Sequence, residues 1–259
     1  MASKGRPSPR LLFYDIENSY LIGAAWDVYE TNILEVLQPP YILSVAYKWL
    51  GESKVHFLGL PQFHGFKKYK PEHEEKLVTA FHKILEEADF ICAHNGNGFD
   101  WKKLNSAFLK YHLPPPKPVK MIDTLKAARS IGKYPSNKLD DLGSSLGIGR
   151  KLPHTGKHLW TATMNGDRKA WKLMQAYNEQ DVILLEKLYL RLRPFIPNHP
   201  NLNIVSRIPN ACPKCSSTNL IRRGYAYTRT SEAIKYCCRD CGGWSLGKSE
   251  KLASAVQVR

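Results

Sequence analysis

The sequence predicts an α/β protein, a mixed β-sheet flanked by helices, with a small metal-held unit after it. Three observations carry this. Short apolar runs rich in β-formers come first and then alternate with helical periods, the order of a mixed sheet with helices packed on it. A stretch with four prolines and three asparagines, Pro194–Pro209, follows the longest helical pattern. It reads as a linker, because proline stiffens the chain and removes backbone donors. Five of the six cysteines lie beyond it, and in a chain without a signal peptide such clustering argues for metal rather than disulfides. The expected division is 1–196 for the α/β domain, 197–209 for the linker and 210–259 for the cysteine-bearing unit.

The elements follow in order. Leu11–Ile16 (LLFYDI) is a short apolar run and the first strand. Tyr41–Trp49 and Lys54–Leu58 are two more, separated by a turn at Gly51. His73–Ala88 carries Leu77, Phe81, Ile84 and Leu85 at helical spacing. Phe90–Ala93 is a strand. Phe99–Tyr111 is a helix with Leu104 and Phe108 inward, stopped by Pro114–Pro116. Val119–Ile122 is a strand, followed by a helical stretch and then the segment KLDDLGSSLGIG. Arg168–Leu192 is the longest helical pattern and stops at Pro194. No internal repeat or low-complexity tract is present.

Composition limits the function classes. A length of 259 residues suits one α/β domain with an appendage or two small domains, and 43% hydrophobic residues supply a core. No apolar run reaches the ~20 residues a bilayer requires. Met1–Arg10 is polar and basic and lacks the apolar run of a secretory signal, so the cytoplasm is the expected compartment. The formal net charge is +15, which favours a polyanionic partner through counterion release. A solvated basic surface is the alternative. From Arg207 to Arg259 there are ten Lys/Arg against three Asp/Glu.

Four carboxylates and a tyrosine stand out. Asp15 and Glu17 end the first strand, and residues i and i+2 of a strand share a face. Two such carboxylates repel unless a cation lies between them, and a hard divalent ion takes oxygen ligands of this kind. A plain polar strand end has the same sequence. Asp100 opens a helix after AHNGNGF, where Asp is also a routine cap. Tyr177 and Asp181 lie four apart on the last long helix and share a face. That face also carries Leu184, Leu185 and Leu188, and an Asp turned towards a core is costly unless it is paired or binds metal.

Taken together, FYDIEN, HNGNGFDWKKL and YNEQD resemble the three motifs of the DEDDy 3′–5′ exonucleases. The second motif and KLDDLGSSLGIG are most similar to the proofreading domain of family B DNA polymerases. The resemblance covers Leu11–Leu192. Ala176 stands where the related DEDDh group has histidine, and Tyr177 fits the tyrosine variant. Asn18 replaces the threonine that usually follows the glutamate. The resemblance implies an RNase H-like fold with a mixed five-stranded sheet. It also implies two Mg²⁺ or Mn²⁺ ions. Asp15, Glu17 and Asp181 would bind the first, and Asp15 would bridge to the second with support from Asp100. Tyr177 would orient the attacking water, and the product would be a nucleoside 5′-monophosphate. Asn18, Asn95 and Phe99 are the implied nucleic-acid contacts. The substrate expected is single-stranded DNA, with RNA open.

Cys212-Pro-Lys-Cys215 and Cys238-Arg-Asp-Cys241 are two Cys-x-x-Cys pairs suited to one structural Zn²⁺. Leu220–Thr228 and Ala233–Tyr236 between them read as a hairpin. The segment resembles zinc ribbons, including those of phage proteins and transposases; a phage-encoded chain would act in its host's cytoplasm. Cys237 competes as a ligand, but Cys238 keeps the two-residue gap to Cys241. Cys92 reads as a buried apolar residue. Arg222, Arg223, Arg229 and Lys235 interleave with Tyr225, Tyr227 and Tyr236, a pattern suited to holding phosphates and stacking on unpaired bases. Tyrosines that build the ribbon's core, and a ribbon that docks a protein, are the alternatives. Two other functions compete: an RNase H-like transposase or endonuclease, and a non-catalytic nucleic-acid-binding adaptor.

Overall fold

The computed structural model describes residues 8–29 and 32–251. The basic stretch Met1–Pro7 and the end of the chain from residue 252 lie outside the described residues. Two compact units are present: Arg10–Tyr189, and a second that runs from Leu190 onward.

The first unit contains β1 (Leu11–Asn18), β2 (Ile22–Ala24), β3 (Glu35–Gln38), β4 (Ile42–Trp49) and β5 (His56–Gly59). Helices α1 (Leu60–His64) and α2 (Glu74–Glu87) follow, then β6 (Phe90–Ala93), α3 (Asp100–Lys110) and β7 (Lys120–Asp123). It ends with α4 (Thr124–Ile131), α5 (Leu139–Ser145), α6 (Lys157–Met164) and α7 (Arg168–Leu192). Five strands form one mixed sheet in the order β5-β4-β1-β6-β7. The central β1 runs antiparallel to β4 and parallel to β6. This is the five-stranded mixed sheet with flanking helices expected from the sequence.

Leu11 to Tyr14 are fully buried, because the sheet is covered on both faces. Phe13 packs on Tyr189 of α7, with ring centroids 5.4 Å apart, whereas Tyr14 packs on Phe81 of α2 at 5.5 Å. Leu77, Phe81 and Leu85 of α2 are sealed in the core, as their spacing predicts, and Ile84 lies at its margin.

Several boundaries differ from the sequence-based expectation. The first strand continues to Asn18, with a bulge between Glu17 and Asn18. The strand expected at Val119–Ile122 is shifted by one residue, so that Asp123 both ends β7 and caps α4. The β2–β3 hairpin has no counterpart in the sequence reading. Its strands are three and four residues long, too short to show a period.

The second unit contains α8 (Asn203–Ser206) and strands β8 (Leu220–Tyr227), β9 (Ser231–Cys238) and β10 (Trp244–Lys251). The strands form an antiparallel sheet in the order β10-β9-β8, one strand more than the expected hairpin. The stretch 197–209, expected as a linker, is packed. Leu202 and Ser206 are buried, and the Leu202 amide donates to the Pro213 carbonyl at 2.7 Å. The Lys214 ammonium donates to the carbonyls of Pro194 and Ile196 at 2.7 and 2.9 Å. The prolines mark turns within the unit rather than an extended connection, and the boundary falls at Leu190. Among the described residues no helix is long and apolar enough to cross a membrane.

Candidate metal centre

Side chains alternate along β1, so Asp15 and Glu17 lie on the face that Phe13 turns to α7. Asp181 comes from α7. One carboxylate oxygen from each of Asp15, Glu17 and Asp181 lies within 4.8 Å of the other two. Asp181 is 1% exposed. Its Oδ2 accepts a 2.6 Å bond from the Lys151 ammonium, and its Oδ1 is buried without a hydrogen-bond partner. Asp15 Oδ2 accepts from the amide of Asn178 at 2.7 Å. Asn178 is fully buried and accepts in turn from the Ser44 hydroxyl at 3.0 Å. Lys151 also donates to the Tyr177 hydroxyl at 3.1 Å.

Asp100 is not one of the three clustered carboxylates. It is the first residue of α3 and is buried, and the nearby backbone of Asp100 itself and Ile16 partly offsets the effect of burial on its carboxyl. The loop before it is shaped by Asp123, whose Oδ1 accepts from the Asn95 amide at 3.1 Å and the Leu125 amide at 3.0 Å. Asn95 adopts φ 64°, a left-handed conformation that asparagine tolerates. Gly96 is confined by contact: a Cβ there would lie 2.6 Å from the Ala93 Cβ and 2.8 Å from the Met121 Sδ.

The carboxylates strain against one another. Burial, then the charges of Glu17, Asp181 and Asp100, hold Asp15 well above the ordinary carboxylate range. Burial and Asp181 push Glu17 up to about 8. Burial raises Asp100 to about 7. Asp181 is also raised by burial, with Lys151 opposing. A cation among the oxygens would favour their charged forms and oppose these shifts. The donor set is all oxygen, and the orphaned Asp181 Oδ1 is the free ligand atom such a site requires. The three residues therefore fit a hard divalent ion.

A pH dependence follows. In the unfolded chain these carboxyls titrate near ~4, and in the fold they keep their protons to about 7 and 8. Between those limits the folded state binds more protons. The metal-free protein therefore gains stability as pH falls from about 8 towards 5, and loses it as pH rises through the folded values. In EDTA, the melting temperature should be higher near pH 6 than near pH 8. Added Mg²⁺ or Mn²⁺ should raise it most at the higher pH. A flat profile in EDTA would contradict the strained cluster.

Two clefts adjoin the carboxylates. One, of about 720 Å³, is lined by Asp15, His94, Asn95, Arg129, Lys138 and Lys151, among others. The other, of about 490 Å³, includes Glu17, Asn18, Tyr20, Phe99, His154 and Trp160. The Tyr177 ring meets His154 edge-on at 4.9 Å and Trp160 at 6.0 Å. Asn95 thus lines one cleft, and Asn18 and Phe99 the other. Lys151, Asn178, His154 and Trp160 went unread in the sequence. Asn178 had a signal, being polar on the inward stripe of α7. Lys151 sits in a loop without periodicity and gave none.

In the second unit the Sγ atoms of Cys212, Cys215, Cys238 and Cys241 all lie within 4.8 Å of one another. The Cys212–Cys241 and Cys215–Cys238 distances are 3.7 and 3.6 Å. Thiolates at tetrahedral corners ~2.3 Å from zinc are about 3.8 Å apart, so the group is compatible with a zinc ribbon. Cys237 stands outside this group, and Cys92 is buried in β6. Register pairs Arg222 with Tyr236, Tyr225 with Ile234 and Tyr227 with Glu232. Arg222, Tyr225, Tyr227 and Tyr236 therefore share one face. The Arg222 guanidinium lies 4.7 Å over the Tyr225 ring, and the Tyr225 and Tyr227 rings are 6.2 Å apart. Tyr227 is 68% exposed, so it is not ribbon core. Arg223 is exposed in the irregularity between Arg222 and Tyr225.

Comparison with known proteins agrees with this architecture. The fold is similar to that of the family B DNA polymerase from the hyperthermophilic archaeon Pyrobaculum calidifontis, with a TM-score of 0.53 and 17% identity. The match covers 77% of this chain and 26% of that one, so the chain corresponds to about a quarter of the polymerase. No curated protein sequence matches. A family model of the RNase_H superfamily matches residues 12–193, which hold the carboxylates and the five-stranded sheet but for Leu11, and the chain belongs to that superfamily.

Proposed function

We propose that the protein is a divalent-metal-dependent 3′–5′ exonuclease that releases nucleoside 5′-monophosphates from single strands, DNA first and RNA second. The observation that carries this is the trio Asp15, Glu17 and Asp181 with its orphaned inward oxygen, beside a Tyr177 hydroxyl held by Lys151. Asp15, Glu17 and Asp181 would hold one Mg²⁺ or Mn²⁺, and Asp15 with Asp100 a second. Such ions, when bound, lower the pKa of a coordinated water and neutralise charge on the attacking and leaving oxygens. The chain's own groups supply the rest. Asn178 fixes Asp15, and Lys151 orients the Tyr177 hydroxyl, which is placed to steer the nucleophilic water. The aromatic cleft of His154, Trp160 and Phe99 suits an unstacked terminal nucleoside, and the cleft with Arg129 and Lys138 suits the phosphates that precede it.

The second unit serves, on this reading, as a separate grip on the strand. The four cysteines hold Zn²⁺, and Arg222, Arg223, Tyr225 and Tyr227 contact phosphates and bases. The deciding experiment uses end-labelled single- and double-stranded DNA and RNA with Mg²⁺ or Mn²⁺, resolving product length and polarity. Mononucleotides released from the 3′ end, and no reaction in EDTA, are expected. Internal cuts would favour the endonuclease reading. Digestion from the 5′ end, or turnover in EDTA, would sink the proposal.

A further inference from the structure

The segment Tyr20–Gln38 differs from the rest of the chain. The protein has 38 Lys and Arg, yet none lies in these nineteen residues, which carry Asp27, Glu30 and Glu35. The β2–β3 hairpin within it forms a two-stranded sheet of its own. Its apolar side chains face water: Trp26 is 79% exposed, Val28 89% and Tyr29 91%. The strands are closely paired, since a Cβ on Gly23 would lie 2.5 Å from the Ile33 side chain and 2.9 Å from the Glu35 carbonyl.

The hairpin rises from the rim of the aromatic cleft. Asn18, Ser19 and Tyr20 line that cleft. Ser19 exchanges two bonds with Tyr41, the Ser19 amide donating to the Tyr41 carbonyl at 2.8 Å and the Tyr41 amide donating to the Ser19 hydroxyl at 2.9 Å. The Tyr20 and Thr161 hydroxyls are hydrogen-bonded at 3.0 Å. That contact ties the hairpin's base to α6, whose Lys157 and Trp160 line the same cleft.

We infer that the β2–β3 hairpin is a strand filter at the mouth of the aromatic cleft, admitting one unpaired strand and holding off the second strand of a duplex. The inference rests on the exonuclease reading. A duplex carries one negative charge per ~1.7 Å of axis. A protrusion with carboxylates and no cation repels the phosphates of a second strand, and its bulk occupies the space that strand needs. An unpaired strand has no second backbone to be held off, so it passes the hairpin without needing its contacts. The absence of Lys and Arg marks the hairpin as unsuited to gripping a phosphate backbone.

The test compares two variants with the parent. In one, Gly23–Leu37 is replaced by Asn-Gly, which keeps the Ile22–Gln38 pair as the last rung of the hairpin. The other keeps full length and carries Val28→Lys with Glu35→Lys. Each is assayed on a labelled single strand and on a blunt duplex of the same sequence, at low and high salt. The parent should prefer the single strand. Both variants should keep the single-strand rate within about twofold and raise the duplex rate about tenfold at low salt. Salt should shrink the gain of the lysine variant. An unchanged strand preference in both variants overturns the filter. So does a parental enzyme that degrades both substrates equally, which leaves the exonuclease reading standing. Loss of single-strand turnover in both variants makes the hairpin part of the substrate grip, and a fall in native mass on clipping makes it a protein-docking surface; either result overturns the filter. If the parent degrades neither substrate, the exonuclease reading itself has failed.

Discussion

Asp15→Asn and Asp181→Asn should each reduce mononucleotide release by at least about a thousandfold, with the fold intact and the melting temperature at pH 8 unchanged or raised. Both replacements nearly keep the shape of the side chain, so packing around β1 and α7 should survive. Each removes one of three charges that repel at close range. In the metal-free protein burial first, and that repulsion second, hold Asp15 and Glu17 above their ordinary range, so losing a charge relieves part of the strain. Asp181→Asn leaves Lys151 without its partner, but the Lys151 side chain is 31% exposed and can hydrate. The loss should therefore be chemical rather than structural. Turnover within tenfold of the parent at saturating Mg²⁺ would refute the ligand assignment. Tyr177→Phe removes one hydroxyl and no carboxylate, and should cost roughly ten- to a hundredfold.

The second large effect concerns the cysteines. Cys238→Ser should unfold most of the unit from Leu190 onward while the carboxylate site keeps working on short oligonucleotides. Among the described residues, the buried apolar side chains of that unit are Leu192, Ile196, Leu202, Cys212, Ala233 and Cys238. So small a core does not outweigh the entropy of ordering its backbone. A closed tetrathiolate site supplies about 10–16 kcal/mol in small zinc-bound peptides, enough to decide whether this sheet forms. The parent should contain one Zn²⁺ per chain by elemental analysis. The variant should contain none and be clipped rapidly by protease beyond residue 190. Its affinity for long single strands should fall, with a shallower salt dependence, because fewer phosphates are neutralised. A zinc-free parent, or a variant as resistant as the parent, would show that the cysteines do not hold the unit together. Unchanged affinity and salt slope would instead favour protein docking for the sheet.

What could be read from the sequence was local and periodic. Arg168–Leu192 is helical over that whole range, since its apolar stripe is long and Pro194 stops it. Asp15, Glu17, Asp100, Tyr177 and Asp181 were visible because each sits in a short motif on a regular element. The residues that hold them were not. Lys151 reaches Asp181 from a loop 30 positions away, and loops have no period to betray their partners. Asn178 sits inside YNEQD, but its bond to Asp15 spans 163 positions and only the fold joins them. The β2–β3 hairpin escaped because its apolar residues face water, so the alternation that marks a half-buried strand is missing. The Pro194–Pro209 stretch misled for a different reason. Composition marks where a chain turns, not whether the turns are packed.

The Lys151–Asp181 pair occupies only one of the two Asp181 oxygens: the ammonium holds Oδ2, and Oδ1 stays open. On the proposed reading an incoming ion would take Oδ1 without displacing the ammonium. Lys151 also opposes the protonation of Asp181 that burial favours, which would keep that ligand ready for metal. Metal starvation should produce a dormant but folded protein, ready to be reloaded, instead of one that must be replaced.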